Sequence, residues 1–234
     1  AILDSGVDAT HPDLAGQLVA GWNSADNTAN TSDINGHGTW VAGTAGAATN
    51  NAIGVASVAG SARIMPVRVT NFSDGSAYFS AIANGLTWAA DHGAQVANIS
   101  FDMLTTSNSV GSAAQYMNSK GGVVVVAAGN SGTDRGYSDS PYMISVSATG
   151  SNDAKASWSS FGYYVDVAAP GAGIWTTSRG GGYSAVNGTS FASPVTAGVV
   201  ALMKAANPSL SPSSLEDILK NTADDLGGAG WDTY

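Results

Sequence analysis

The run VVVVAA at 123–128 is apolar at every position, with no polar residue on alternate sites. A strand with one wet face alternates apolar and polar residues. A run without alternation must be covered on both faces, as in the middle of a parallel sheet. Shorter β-rich apolar runs recur along the chain and predict strands over 2–4, 17–21, 63–69, 96–100, 123–127, 143–147 and 165–168. Between them, helical patterns span 37–48, 76–92, 107–119, 190–206 and 211–222, with DHG (91–93) and ANP (206–208) as helix stops. Strands alternating with helices imply an α/β fold: a three-layer, doubly wound, mostly parallel sheet with helices on both faces and right-handed crossovers. No repeat or linker divides the 234 residues, so one domain is expected over 1–234.

In such sheets, sites form beyond the carboxyl ends of strands. Asp4, Ser100 and Asn130 fall at or just after such ends. The charge of −9 excludes the basic face that nucleic acid needs and offers no polybasic membrane anchor. No apolar run approaches the roughly 20 residues of a membrane span. With no cysteine, a disulfide framework and a thiolate zinc site are excluded.

Four segments carry chemistry: LDSG (3–6), NGHGTWVAG (35–43), VAAGNSG (126–132) and NGTSFASPVTAG (187–198). They offer a carboxylate, an imidazole, an amide and a hydroxyl. A serine hydroxyl needs a base to take its proton as it attacks. His37, between two glycines, suits that role better than His11 in the turn-like THPD or His92 at a polar helix end. Asp4 is placed to hold the imidazole in one tautomer. Ser190 starts an Ala-rich helix whose N–H groups face developing negative charge. Pro194 lies four residues on and cannot donate to the Ser190 carbonyl, so the first turn must distort. Asn130 offers an amide donor. Taken singly, each reads more readily as a turn aspartate, a core histidine, a turn asparagine or an ordinary helix-start serine.

Together and in this order, the segments resemble the subtilisin-like serine proteases (subtilases, peptidase family S8), in particular the bacterial subtilisin and thermitase branches. HPDL (11–14), TNNAIGV (49–55) and NIS (98–100) extend the resemblance from Ala1 to about Asn221. It implies peptide-bond hydrolysis through an acyl-enzyme, with Asp4 orienting acid, His37 general base, Ser190 nucleophile and Asn130 oxyanion donor. It implies that an extended polypeptide lies along the backbone of Phe72, Ser73, Asp74, Gly75 and Ser76. It places the S1 pocket between Ser100, Phe101 and Asp102 on one wall and Ala127, Ala128 and Gly129 on the other. Those small residues predict large apolar P1 side chains, while Asp102 leaves basic ones as the alternative. TNNAIGV implies a structural calcium held by Asp13 and Asn51 side chains and by carbonyls of Thr49, Ile53 and Val55, with no catalytic cofactor. Oxygen donors suit that hard cation. The resemblance further implies a secreted monomer that folds with a propeptide.

The chain departs from the family pattern at Trp40, where a second histidine is usual, at Phe191 after the nucleophile, at Val195-Thr196, and at Phe101-Asp102-Met103. The strand and helix that precede LDSG in relatives and the segment expected after GWDTY (230–234) are not in this sequence. Against an active endopeptidase stand a catalytically silent peptide-binding module and a nucleotide-binding enzyme suggested by AAPGAG (168–173). The latter lacks GxGxxG or GxxxxGK[ST] between strand and helix, and GTSFA is not the GxSxG elbow of an esterase.

Overall fold

The computed structural model describes residues 1–227; the GWDTY end lies outside the described residues. Strands β1 (Ile2–Asp4), β2 (Trp22–Asn23), β3 (Pro66–Arg68), β4 (Val96–Ile99), β5 (Val123–Ala127), β6 (Ile144–Thr149) and β7 (Val167–Pro170) form one sheet. Its order is β2-β3-β1-β4-β5-β6-β7, and all pairs are parallel. A separate antiparallel hairpin joins β8 (Ile174–Ser178) to β9 (Gly182–Val186). The helices are α1 (His37–Gly46), α2 (Phe79–Asp91), α3 (Asn108–Ser119), α4 (Thr189–Ala206) and α5 (Pro212–Thr222).

The period-two rule sorts the VVVV run between two cores. Val124 and Val126 join Leu3, Val67 and Ile99 under α2 and α3. Val123 and Val125 face the other way, toward Ile144, Val146 and the α4 residues Ala192, Ala197 and Val200. Each fully buried valine contributes about 1.5–3 kcal/mol, so the double covering is a major driving force. On the α4 side, α1 packs through Val41 and Ala42 against Ile2, Leu14 and Ile64.

The chain leaving β1 passes through the edge strand β2 before it enters α1 on one face, and that leaving β4 enters α3 on the other. Neighbouring strands whose connections part in this way leave a crevice at their carboxyl ends. The register levels three chains there, because Leu3 pairs with Ile99 and Ile99 with Val126. Asp4, Ser100 and Ala127 therefore stand side by side at that edge.

Two expectations are corrected. Residues 17–21 hold a single bridge, Leu18 to Ile64, and the edge strand begins at Trp22. The pairing lapses where Gly21 approaches the Pro66 carbonyl too closely for any side chain; an added Cβ would lie 2.0 Å from that oxygen. The helix expected from 76 begins at Phe79. The hairpin was not foreseen. Since β7 runs into it rather than into a helix, AAPGAG forms no strand-to-helix phosphate cradle.

Candidate active site

His37 opens α1 immediately after Gly36, which has φ 110° and brings no capping side chain. The cap comes from Asp33. Its Oδ1 accepts from the N–H of Gly36 at 2.8 Å and of Asn35 at 3.1 Å, and its Oδ2 from the N–H of Thr39 at 2.9 Å. A buried carboxylate here satisfies orphan donors and complements the helix dipole. Ser5 links this cap to β1, donating to Asp33 at 2.8 Å and accepting from the Gly38 N–H at 3.0 Å. Gly38 has to be glycine, since a Cβ would stand 2.0 Å from the Gly6 carbonyl oxygen. This close approach of α1 to β1 brings His37 over Asp4.

The His37 Nδ1 lies 2.9 Å from both Asp4 carboxylate oxygens. Asp4 is buried at 1% exposure and accepts from the Ser5 N–H at 2.7 Å. With Nδ1 held as donor, Nε2 is left as the basic nitrogen. Burial pushes the imidazole pKa down, but the charge and hydrogen bond of Asp4, with Asp33 behind it, outweigh this and raise it above the ordinary 6.5. Phe191 and Trp40 wall the ring, with centroids 5.8 and 6.4 Å from it, and pack on each other at 6.4 Å. Two of the departures from the family pattern thus form one aromatic contact.

Ser190 is the second residue of α4. Pro194 withholds the N–H that would close the first turn, and the Ser190 carbonyl accepts instead from the Ser100 hydroxyl at 2.9 Å. Ser100 in turn accepts from Asn98 Nδ2 at 2.9 Å, and Asn98 Oδ1 accepts from Ser193 at 2.6 Å. The proline that breaks the helix ladder thereby fastens α4 to the end of β4. The Ser190 hydroxyl itself is directed at the Ser100 carbonyl, 3.5 Å away, and makes no hydrogen bond with His37 among the described residues.

Asn130 Oδ1 accepts from the N–H of Thr189 at 2.9 Å and from its hydroxyl at 3.0 Å. The same Thr189 oxygen accepts from the Gly129 N–H at 3.1 Å. With its oxygen fixed, the Asn130 amide presents Nδ2 outward without a partner among the described residues. The Ser190 N–H is one of the donors that a helix N-terminus leaves unpaired.

On the expected pocket walls, Ala127 and Ala128 are buried, and the Ala128 carbonyl accepts from Tyr164 at 2.7 Å. Gly129 has φ 106° and backs onto Asp102, whose carboxylate carbon would lie 2.8 Å from an added Cβ. Phe101 is half-buried and packs against the α2–α3 core. The extended edge expected at 72–76 is corrected. Residues 72–75 form a turn closed by the Gly75 N–H on the Phe72 carbonyl at 3.0 Å, with Ser76 bonded to Asp74. The free backbone lies just beyond, where Ala77 uses neither its N–H nor its carbonyl among the described residues.

Asp13 is fully buried and gathers the 49–55 loop, but through N–H donors: Asn51 Nδ2 at 2.7 Å and the Val55 N–H at 3.0 Å. Donors of that kind stand where a cation needs oxygen lone pairs, so the residues as arranged do not fit calcium. The described residues hold no cluster of three or more His, Cys, Asp or Glu side chains for a metal. His11 is a core histidine, with Nε2 2.8 Å from the Gly182 carbonyl. A cavity of about 850 Å³ opens at the opposite, amino end of the sheet beside Ala1, Met65 and Val96, far from His37. Asp33, Asn98 and Thr189 were missed. Each is a buried polar residue satisfied by partners distant in the chain or across a turn, and only Asn98, set between the apolar residues Ala97 and Ile99, carries a local signal in the sequence.

The parallel sheet brings the acid–imidazole pair beside the start of α4, where Phe191 lies against the His37 ring. The subtilase family model matches residues 1–234, and the chain belongs to that family, as a serine endopeptidase of the subtilisin type. It is 44% identical to thermitase of Thermoactinomyces vulgaris over 98% of this chain and 82% of that protein. It is 41% identical to a thermophilic serine proteinase of Bacillus sp. (strain AK1), covering 98% of this chain and 57% of that longer protein. The solved structure of a cold-adapted subtilisin-like serine proteinase matches with a TM-score of 0.85 at 36% identity, covering 95% of this chain and 80% of that one. Among the described residues no helix is long and apolar enough to cross a membrane.

Proposed function

We propose that Ser190, His37, Asp4 and Asn130 hydrolyse peptide bonds in extended polypeptides. The observation that carries this reading is the His37–Asp4 pair, with Nδ1 2.9 Å from both carboxylate oxygens. Substrate backbone pairs along the free edge at Ala77, as an added strand. Ser190 Oγ attacks the scissile carbonyl carbon while its proton passes to His37 Nε2. The oxyanion takes hydrogen bonds from Asn130 Nδ2 and the Ser190 N–H. The C–N bond breaks as His37 returns the proton to the leaving amine. Water then attacks the acyl-enzyme with His37 as base, and Ser190 is restored. The Ser190–His37 hydrogen bond forms as the hydroxyl turns from the Ser100 carbonyl toward the imidazole.

Ala127, Ala128 and Gly129 leave room for large apolar P1 side chains. Family membership supports a secreted monomer matured from a propeptide form. The 49–55 loop closes on Asp13 by hydrogen bonds and requires no calcium. Casein hydrolysis by this chain beside its Ser190→Ala variant tests the reading: activity in the first and none in the second is expected. Inactivity in both supports the second reading, a silent peptide-binding module, which the Ser190–Ser100 contact favours.

A further inference from the structure

Asp102 stands in the expected P1 pocket, two residues past the carbonyl that faces the Ser190 hydroxyl. Its carboxylate lies against Gly129, on the opposite wall. A lone carboxylate there would draw lysine or arginine. It is not alone. Arg135 Nη1 lies 3.5 Å from Asp102 Oδ2, while Oδ1 accepts from the Met103 N–H at 2.6 Å. Arg135 is itself fixed: Nη2 donates to the Tyr137 hydroxyl at 2.6 Å, and the guanidinium lies over the Tyr137 ring, 5.2 Å from its centroid. Tyr137 packs on Tyr164, whose hydroxyl holds the Ala128 carbonyl of the pocket wall. The pair is 28% and 35% exposed, so water screens it only in part.

Resting on the protease reading above, we propose that Arg135 determines P1 selectivity by neutralising Asp102, so that the pocket accepts apolar side chains and rejects basic ones. A P1 lysine entering the pocket meets a carboxylate already engaged and an arginine of its own sign beside it. Like charges brought together inside a cleft are a means of rejecting a ligand. Removing Arg135 leaves one unpaired carboxylate and reverses the preference. Removing the charge of Asp102 leaves an unpaired guanidinium and turns the pocket toward acidic P1 residues.

The test measures kcat/KM for tetrapeptide anilides that differ only in Phe, Lys or Glu at P1. The wild type should favour Phe over Lys. Arg135→Gln should raise the Lys/Phe ratio about tenfold, the scale of one partly screened charge contact. Asp102→Asn should raise the Glu/Phe ratio, and Arg135→Lys should keep the wild-type order. A purely structural role would not give this sign pattern, nor its loss in high salt. The same ratios are also read from the binding of the uncleaved peptides to Ser190→Ala versions of each variant. No cleavage by any version would overturn the protease reading while binding still measures selectivity. A Lys/Phe ratio unchanged by Arg135→Gln, or a wild type that already prefers Lys, would overturn the role given to Arg135.

Discussion

Replacing Ser100 by alanine removes the strut between β4 and the broken first turn of α4. Two hydrogen bonds go, the one to the Ser190 carbonyl at 2.9 Å and the one from Asn98 Nδ2 at 2.9 Å. Asn98 is 1% exposed, so its amide is left without water. A buried orphan of this kind costs about 1–3 kcal/mol. The half-buried Ser190 carbonyl regains some solvation and adds about 1 kcal/mol, for a loss of about 2–4 kcal/mol altogether. In a chain of 234 residues this lowers Tm by about 5–15 °C. The measurement belongs in a Ser190→Ala background, where self-digestion cannot distort unfolding. Pro194→Ala supplies the control, because it returns the N–H that the Ser190 carbonyl lacks. In the double variant the helix closes its own turn, and at least about 1 kcal/mol should be recovered relative to additivity. Effects of the two substitutions that simply add within about 0.5 kcal/mol would refute the idea that Ser100 replaces the donor removed by the proline.

Other consequences follow from the same geometry. Because Asp4 holds the His37 pKa above 6.5, kcat/KM should fall as pH drops through a value above 6.5. Asp4→Asn should move that acid limb below 6.5, where burial alone would place it, and lower kcat by about 10³–10⁴-fold; an unmoved limb would contradict the assignment. In stability terms, the raised pKa contributes below the unfolded-state value, and that contribution is lost as pH rises through the folded-state one, as titration of Tm in the Ser190→Ala variant can show. Asn130→Ala should lower kcat by about 10²–10³-fold with KM nearly unchanged, the mark of a donor used in the transition state. Gly38→Ala should destabilise by more than about 2 kcal/mol in denaturant unfolding, because its Cβ has no space beside Gly6. EDTA should leave Tm within about 2 °C, whereas a fall of more than about 5 °C would show that a cation does hold the 49–55 loop.

The parallel sheet was legible because VVVVAA and its shorter counterparts carry a period that only a doubly covered strand satisfies. The candidate catalytic residues were legible because each sits at a strand or helix end marked by glycine. What escaped were parts whose reason is tertiary. The hairpin β8–β9 reads IWTTS and GYSAV: Ile174 and Val186 reach the core and Trp175 is exposed, but Thr and Ser fill the middle, so neither run stands out as an apolar strand. It exists to clamp α1: Thr176 and Thr177 donate to the Trp40 and Thr39 carbonyls at 2.7 and 2.8 Å, and Arg179 donates to the Asp33 carbonyl at 3.0 Å. The distortion at Pro194 could be expected from the chain, but the hydroxyl that compensates for it comes from 90 residues away. The resemblance alone puts Phe101 on the pocket wall, and nothing local in the sequence signals that its side chain also packs against the α2–α3 core. The 72–75 turn was hidden by Asp74, whose bonds to Ser76 fold the backbone where an extended edge was expected.

In the mechanism proposed above, His37 passes protons between Ser190 and its substrate while Asp4 holds the imidazole in place. A serine-directed phosphonate measures this directly, through the rate and site of adduct formation in the wild type, His37→Ala and Asp4→Asn across pH. One adduct per chain on Ser190 is expected, formed faster as His37 loses its proton and slowed by orders of magnitude in both variants. An adduct on Ser190 that forms at the wild-type rate without His37, or one on a different serine, would contradict the account.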